Sequence, residues 1–276
     1  MSLTIGNNST SLFAQQGLSQ TNTAIDQIYK RLSSGLRINS AADDPAGSAI
    51  VSAFAAQIAG NQQAVSNLND GVSYAQTASG ALGQLADNTA QLQTLAVQAG
   101  NSTLSAADRQ AIQAEANQIG QSNNDIIQNT QFNGQPLLQG GTQTFQAGAN
   151  AGQQINLTSP NLTAAAGSGG LYSASGQIDL SSVAGATSAL DNLATDLTTI
   201  STSQSQIGAA SNGFTAAANN LQTTVINASA SKSAIGDTDY AAATSQLAAN
   251  QILSQANIAI QAQANANSRQ VLSLLK

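Results

Sequence analysis

The chain has 276 residues, of which 7% are charged and 3% aromatic; Cys, His and Trp are absent and the net charge is −6. Without Cys there is no disulfide framework, thiolate chemistry or zinc-finger pattern, and without His the commonest general base and metal ligand is missing, which argues against most hydrolases and metalloenzymes. Residues 1–45 and 236–276 each sum to zero charge while 46–235 carry −6, and nothing resembles the basic stripe of a nucleic-acid binder. No apolar run reaches the ~18 residues of a membrane-spanning helix. The N-terminus lacks the charged and apolar regions of a cleaved secretory leader, so the expectation is a cytoplasmic protein or one exported without cleavage.

The first predicted helix is marked by Leu18, Ile25, Ile28, Leu32 and Leu36 at heptad spacing. Lys30 and Arg31 fall in its last turn, where cations suit the helix dipole, and Gly35 is placed to end it in the left-handed conformation. Asp44 followed by Pro45 offers an N-cap and a first-turn proline for the next helix. The stretch holding Arg31, Gly35, Arg37, Asp43, Asp44 and Pro45 therefore reads as a hinge, with opposite charges at its two ends. The second helix carries the stripe Val65, Leu68, Val72, Ala75, Ser79, Leu82, Leu85, Leu92, Leu95 and Ala99, which Gly100 and Asn101 interrupt. Ser105 is a plausible cap for a third helix with the stripe Ile112, Ile119 and Ile126.

From about 130 to 185 the texture changes. Phe145 and Ala147, then Ile155 and Leu157, alternate with polar neighbours among Gly, Asn and Pro, which predicts one or two short hairpins. The low-complexity run 164–176 predicts an exposed loop. Helical spacing then returns from Leu190 to Ala228, where ten of twelve positions stepped by three and four are apolar. That is a coiled-coil-like seam sustained along roughly 60 Å of helix, and it requires partner helices. Gly236 breaks it, and Thr238 or Asp239 caps a last helix whose stripe is Ala243, Leu247, Leu253, Ala256, Ile260 and Ala264, before the closing "VLSLLK".

These elements predict a mainly α fold: a long coiled-coil-like helical bundle built from both termini, with a small β-hairpin region in mid-chain. The two breaks divide the chain into one unit of 1–45 plus 236–276 and a rod-like unit of 46–235. The terminal helices are Ala-rich and marginal in isolation, so they are expected to order fully only on finding partners. Asp43 and Asp44 read as helix-end groups, Gly167 to Gly170 as a loop without the Lys of a phosphate cradle, and Tyr240 as packing. No nucleophile–base pair is present, and neither a metal, a cofactor nor enzymatic activity is expected. Scarce Lys, Arg and large apolar residues also exclude an amphipathic lipid binder.

The words "RLSSGLRINSAADDPAGSAI" (31–50), "LAVQAGNST" (95–103), "TQFNG" (130–134), "FQAGANAGQ" (145–153), "GDTDYA" (236–241), "QILSQAN" (251–257) and "VLSLLK" (271–276) resemble bacterial flagellin, in order and at both ends. The resemblance implies export through the flagellar channel with an uncleaved N-terminus and self-assembly into the extracellular filament. It further implies an inner tube of paired terminal helices (Leu18, Ile25, Ile28, Leu32, Leu247, Leu253, Ile260, Val271, Leu272, Leu275) and a surrounding rod, here without large outer domains. Implied partners are other copies of the chain, an export chaperone, and cap and hook–filament junction proteins; nucleic acid and membrane insertion are not implied. Glu115 aligns with an acidic position that many flagellins offer to the innate-immune flagellin receptor, which nominates Gln91, Leu95 and Glu115 as a receptor surface. Where those flagellins carry basic and acidic residues before Leu-Ala-Val-Gln, this chain has Gln91, Leu92, Gln93 and Thr94. Two other readings are a hook–filament junction protein, which shares "LSSG…DDP", and a flagellin relative serving as a surface adhesin or polysaccharide binder. The end sequences "NNSTSLFAQQGL" and "NSRQVLSLLK" favour flagellin.

Overall fold

The structure, a computed structural model, describes residues 8–163 and 170–273, with side chains through Gln270. Five long helices carry it: α1 (Ser9–Ser34), α2 (Pro45–Ala99), α3 (Ala106–Asn129), α4 (Val183–Gly236) and α5 (Tyr240–Ser273). Two antiparallel pairs lie between α3 and α4, β1 (Gln131–Phe132) with β2 (Gln135–Pro136) and β3 (Thr142–Gln146) with β4 (Gln154–Thr158). Two compact units result, one of Met1–Ala56 with Asn227–Lys276 and one of Gln57–Ile226, so the division falls within α2 and α4.

In the Gln57–Ile226 unit the heptad seams meet. The α4 seam positions Leu193, Ile200, Ile207 and Phe214 are buried, together with Leu68, Leu82, Leu85 and Leu92 of α2. Phe214 needs a hole opposite it, and Gly71 supplies one: a Cβ there would lie 3.1 Å from the ring. The apolar interior forms two clusters, one around Leu68, Leu82, Ile127 and Phe214 and the other around Leu92, Leu95, Ile112 and Leu193. The buried polar residues Thr89, Asn123, Ser173 and Asp196 accompany them.

The hairpins follow their local chemistry. Asn133 and Gly134 both adopt positive φ (49° and 77°) at the β1–β2 turn, the conformation a two-residue hairpin loop demands. Phe145 pairs with Ile155 and Gln143 with Leu157 in β3–β4, so the alternating apolar side chains share the face that packs on the first cluster. Phe145 stands edge-on to Tyr74 and Phe214, with centroids 6.1 and 5.0 Å away.

Two expectations are corrected here. The α3 stripe is Ile112, Ala116, Gly120, Asn123 and Ile127, with Ile119 and Ile126 only half-buried. A pure seven-residue step drifts around a helix of 3.6 residues per turn, and Gly120 instead brings α3 against the Ser173 carbonyl. The run from Gly170 is also not a simple exposed loop. Leu171 and Ser173 are buried, and the single 3₁₀ turn Tyr172–Ala174 is held by Asp196 of α4, whose carboxylate accepts from Tyr172 N–H at 2.8 Å and Ser173 N–H at 2.6 Å. Burial pushes this carboxyl above its ordinary range, against the pull of those two N–H groups. Residues 164–169 of the run lie outside the described residues.

Candidate assembly site

Within the terminal unit, α1 and α5 pair antiparallel. Tyr240 Oη donates to the Leu32 carbonyl at 2.9 Å, Gln251 Nε2 donates to Tyr29 Oη at 3.4 Å, and Asn8 Nδ2 donates to the Ala264 carbonyl at 3.1 Å. Asn8 also caps α1 by accepting from Ser11 N–H. On α1 the expected residues turn inward: Ile28 is buried, and Leu18, Ile25 and Leu32 are half-buried.

On α5 the inward row differs from expectation. It comprises Ala243, Leu247, Asn250, Ser254, Asn257, Gln261 and Ala264, whereas Leu253 and Ile260 stand 52% and 49% exposed and Ala256 is exposed too. The inward row steps by three and four throughout, and the expected row does so except for a step of six from Leu247 to Leu253, so spacing alone does not fix the inward face. Close approach does: the Asn257 amide would lie 3.2 Å from a Cβ at Gly17, and its Nδ2 is 3.5 Å from Thr21 Oγ1. Beyond Leu247 small and polar residues fill the α5 side of the seam, and Ile252, Leu253, Ile258 and Ile260 are left facing solvent. Leu12 and Phe13 of α1 are likewise 64% and 73% exposed. The side chains of Val271 and Leu272, and all of Leu275, lie outside the described residues.

The hinge residues build a clasp. Gly35 has φ 72° and donates its N–H to the Arg31 carbonyl at 2.9 Å, closing α1. Leu36 forms an antiparallel bridge with Asp237. Around it, Arg37 N–H donates to the Gly236 carbonyl at 2.7 Å, Thr238 N–H to the Gly35 carbonyl at 2.9 Å, and the Arg37 guanidinium to the Ile235 carbonyl at 2.7 and 3.1 Å. The paired acids divide their work. Asp43 accepts from the N–H groups of Asn39 and Ser40, which with the Ser40 hydroxyl hold its carboxyl below the ordinary range. Asp44 caps α2 by accepting from Gly47 N–H at 2.9 Å, with Pro45 at the first helical position. Gly47 leaves room for this cap: a Cβ there would crowd the Asp44 carboxylate and sit 2.6 Å from Ile38 Cδ1, so both side chains would have to shift. At the other break Asp239, not Thr238, is the cap, accepting from Ala241 and Ala242 N–H.

Of the nominated receptor surface, Gln91 and Glu115 are exposed, but Leu95 is buried in the second cluster; Val97, 63% exposed, faces out in its place. Sequence reasoning also passed over Arg109, whose guanidinium bonds the carbonyls of Ala99, Asn101 and Leu104 at 2.8–3.1 Å and so ties down the α2–α3 connection. An arginine one turn after a capping serine was the available signal. Among the described residues no acidic cluster could hold a metal ion, and no helix is long and apolar enough to cross a membrane.

Comparison with known proteins agrees with these features. The chain is 46% identical over 158 residues to a flagellin of Salmonella rubislaw (57% of this chain, 32% of the relative) and 44% identical over 158 residues to a flagellin of Serratia marcescens (57% and 45%). It thus spans about a third to under a half of those relatives' length. The crystal structure of Bacillus cereus flagellin superposes with a TM-score of 0.50 at 23% identity, over 56% of this chain and 88% of that one, a likeness of fold. Residues 5–144 match the bacterial flagellin N-terminal helical region and residues 190–275 the bacterial flagellin C-terminal helical region. The chain belongs to the bacterial flagellin family.

Proposed function

We propose that this chain is a structural subunit of the bacterial flagellar filament, exported and polymerised outside the cell into a helical tube that serves motility. The carrying observation is the distribution of burial. Among the described residues all the largest fully buried side chains, from Leu68 to Phe214, lie between residues 57 and 226, whereas the large apolar side chains buried in the terminal unit are Ile28 and Ile38 alone. A helix pair with a polar seam and isoleucines outside lacks a core of its own, since each buried Ile is worth about 1.5–3 kcal/mol and here remains in water. Covering that face is what packing against neighbouring copies would do. In this reading the terminal pair lines the inner tube, the Gln57–Ile226 unit forms the surrounding rod, and the residues from Arg31 to Pro45 link α1 to α2. Export chaperone, cap and hook–filament junction proteins are the further partners, and the role is structural rather than catalytic.

The test is seeded polymerisation of the purified chain, followed by electron microscopy. Filaments are expected from the full chain, and none from a chain lacking 236–276 or from Ile252→Ser/Ile258→Ser, each still showing the circular dichroism of a folded helical rod. Filaments from either variant would sink the assignment of the terminal pair.

A further inference from the structure

Charge divides between the two units more sharply than along the chain. The unit of both ends holds six of the seven basic side chains and five carboxylates, net +1; Gln57–Ile226 holds one base and eight carboxylates, net −7. That one base is no counter-ion, because Arg109 spends its guanidinium on three carbonyls. Three of the eight carboxylates are engaged: Asp108 with Ser105, Asp179 with Ser181, and Asp196 with the 172–173 turn. The other five, Asp70, Asp87, Glu115, Asp125 and Asp191, are exposed and have neither an ion pair nor a side-chain hydrogen bond among the described residues. In the terminal unit Lys30 is exposed and equally unpartnered among the described residues, and its neighbour Arg31 is half-buried, forms no ion pair and acts on Asp43 only at longer range. The one ion pair among the described residues is Arg37–Asp44, at 4.0 Å.

We propose that Lys30 and Arg31 form a docking patch for the anionic Gln57–Ile226 unit of a second copy of this chain, an inference that rests on the filament reading above. Identical units of charge −7 repel when brought side by side, and cations left unpaired in each chain are the available means of relieving that repulsion. Exposed ion pairs are individually weak and screened by salt, but one set recurs with every subunit added. Complementary charge of this kind sets encounter and register more than raw affinity.

The experiment measures the critical concentration for seeded assembly from about 50 mM to about 1 M NaCl. It compares the wild type, K30Q/R31Q, the five-site variant D70N/D87N/E115Q/D125N/D191N, and the two combined. K30Q/R31Q is expected to raise the critical concentration about three- to tenfold at low salt in the wild-type background, and to have little effect in the five-site background, where the anionic partner is gone. All should converge near 1 M, where the screening length is about 3 Å. If the cations acted on anything other than these carboxylates, K30Q/R31Q would raise the critical concentration equally in both backgrounds, and that result overturns the proposal. So does a K30Q/R31Q chain indistinguishable from wild type. Should the five-site variant fail to fold, Lys30→Glu/Arg31→Glu takes its place: it must assemble less well than K30Q/R31Q at low salt, and equality overturns the proposal. Absence of filaments from the wild type would instead overturn the filament reading.

Discussion

Arg109 shows how much one charged side chain can do in a chain nearly without charge. Its planar fork reaches three carbonyls around the α2–α3 connection, a geometry that a lysine's single ammonium does not reproduce. Arg109→Lys is therefore expected to lower the unfolding free energy by about 1–2 kcal/mol in urea titration, since hydrogen bonds from charged donors are worth about 1.5–3 kcal/mol and a lysine retains part of that. The acids make a separate prediction about pH. Serine hydroxyl and backbone N–H donors hold Asp108, Asp179 and Asp43 below the ordinary carboxyl value of 3.8. A depressed folded pKa contributes stability that is present above the unfolded value and lost as pH falls through the folded one. Asp196, raised by burial, acts with the opposite sign. The three depressed acids should thus cost the fold stability as pH falls below about 3.8, with Asp196 opposing them. Asp108→Asn should flatten part of that decline; an unchanged acid limb would show that the capping box adds nothing.

At the scale of elements, sequence periodicity told which segments are helical and where they stop, because caps and breakers act locally. Gly35, Asp44, Pro45, Ser105 and Gly236 all stand at helix ends as their chemistry requires. It told less about which face turns inward. Alanine, serine, asparagine and glutamine occupy so many positions that several three-and-four rows fit α5, and only the approach of Gly17 to Asn257 selects one. Asp196 was illegible for a different reason: its partners are backbone N–H groups about two dozen residues away, and no pattern announces such a bond. Four helix-interior glycines, Gly80, Gly83, Gly208 and Gly213, have nothing within 4 Å of an added Cβ. Glycine costs a helix interior about 0.5–1 kcal/mol relative to alanine, and no contact within the chain offsets that. Gly80→Ala/Gly83→Ala should stabilise the unpolymerised chain by about 1–2 kcal/mol in thermal unfolding. A lowered midpoint would reveal a need for glycine that the isolated chain does not show.

For the whole molecule, the two units stand in different thermodynamic positions. The Gln57–Ile226 unit holds both apolar clusters, the β3–β4 hairpin with its aromatic contacts, and the anchors at Arg109 and Asp196. Its long helices need no further partner to bury their seams. The terminal unit has a seam in which Thr21, Asn257 and alanines interrupt Ile28 and a few half-buried leucines, and it exposes Phe13, Ile252 and Ile258. A helix pair of this kind gains too little burial to offset the ordering entropy of its backbone, about 1–2 kcal/mol per residue. A chain restricted to 46–235 should therefore remain monomeric and helical, and should unfold in one cooperative transition whose midpoint lies within a few degrees of the full-length monomer's. In the full-length monomer, amide exchange should be fast along α1 and α5 and slow at Leu82, Leu193 and Ile207, the contrast expected where local stability follows buried contact density. Polymerisation should protect the terminal helices by orders of magnitude while changing the central amides little. Equal protection of both units in the monomer would mean that the terminal pair is stable alone, and the argument that assembly supplies its missing core would fail.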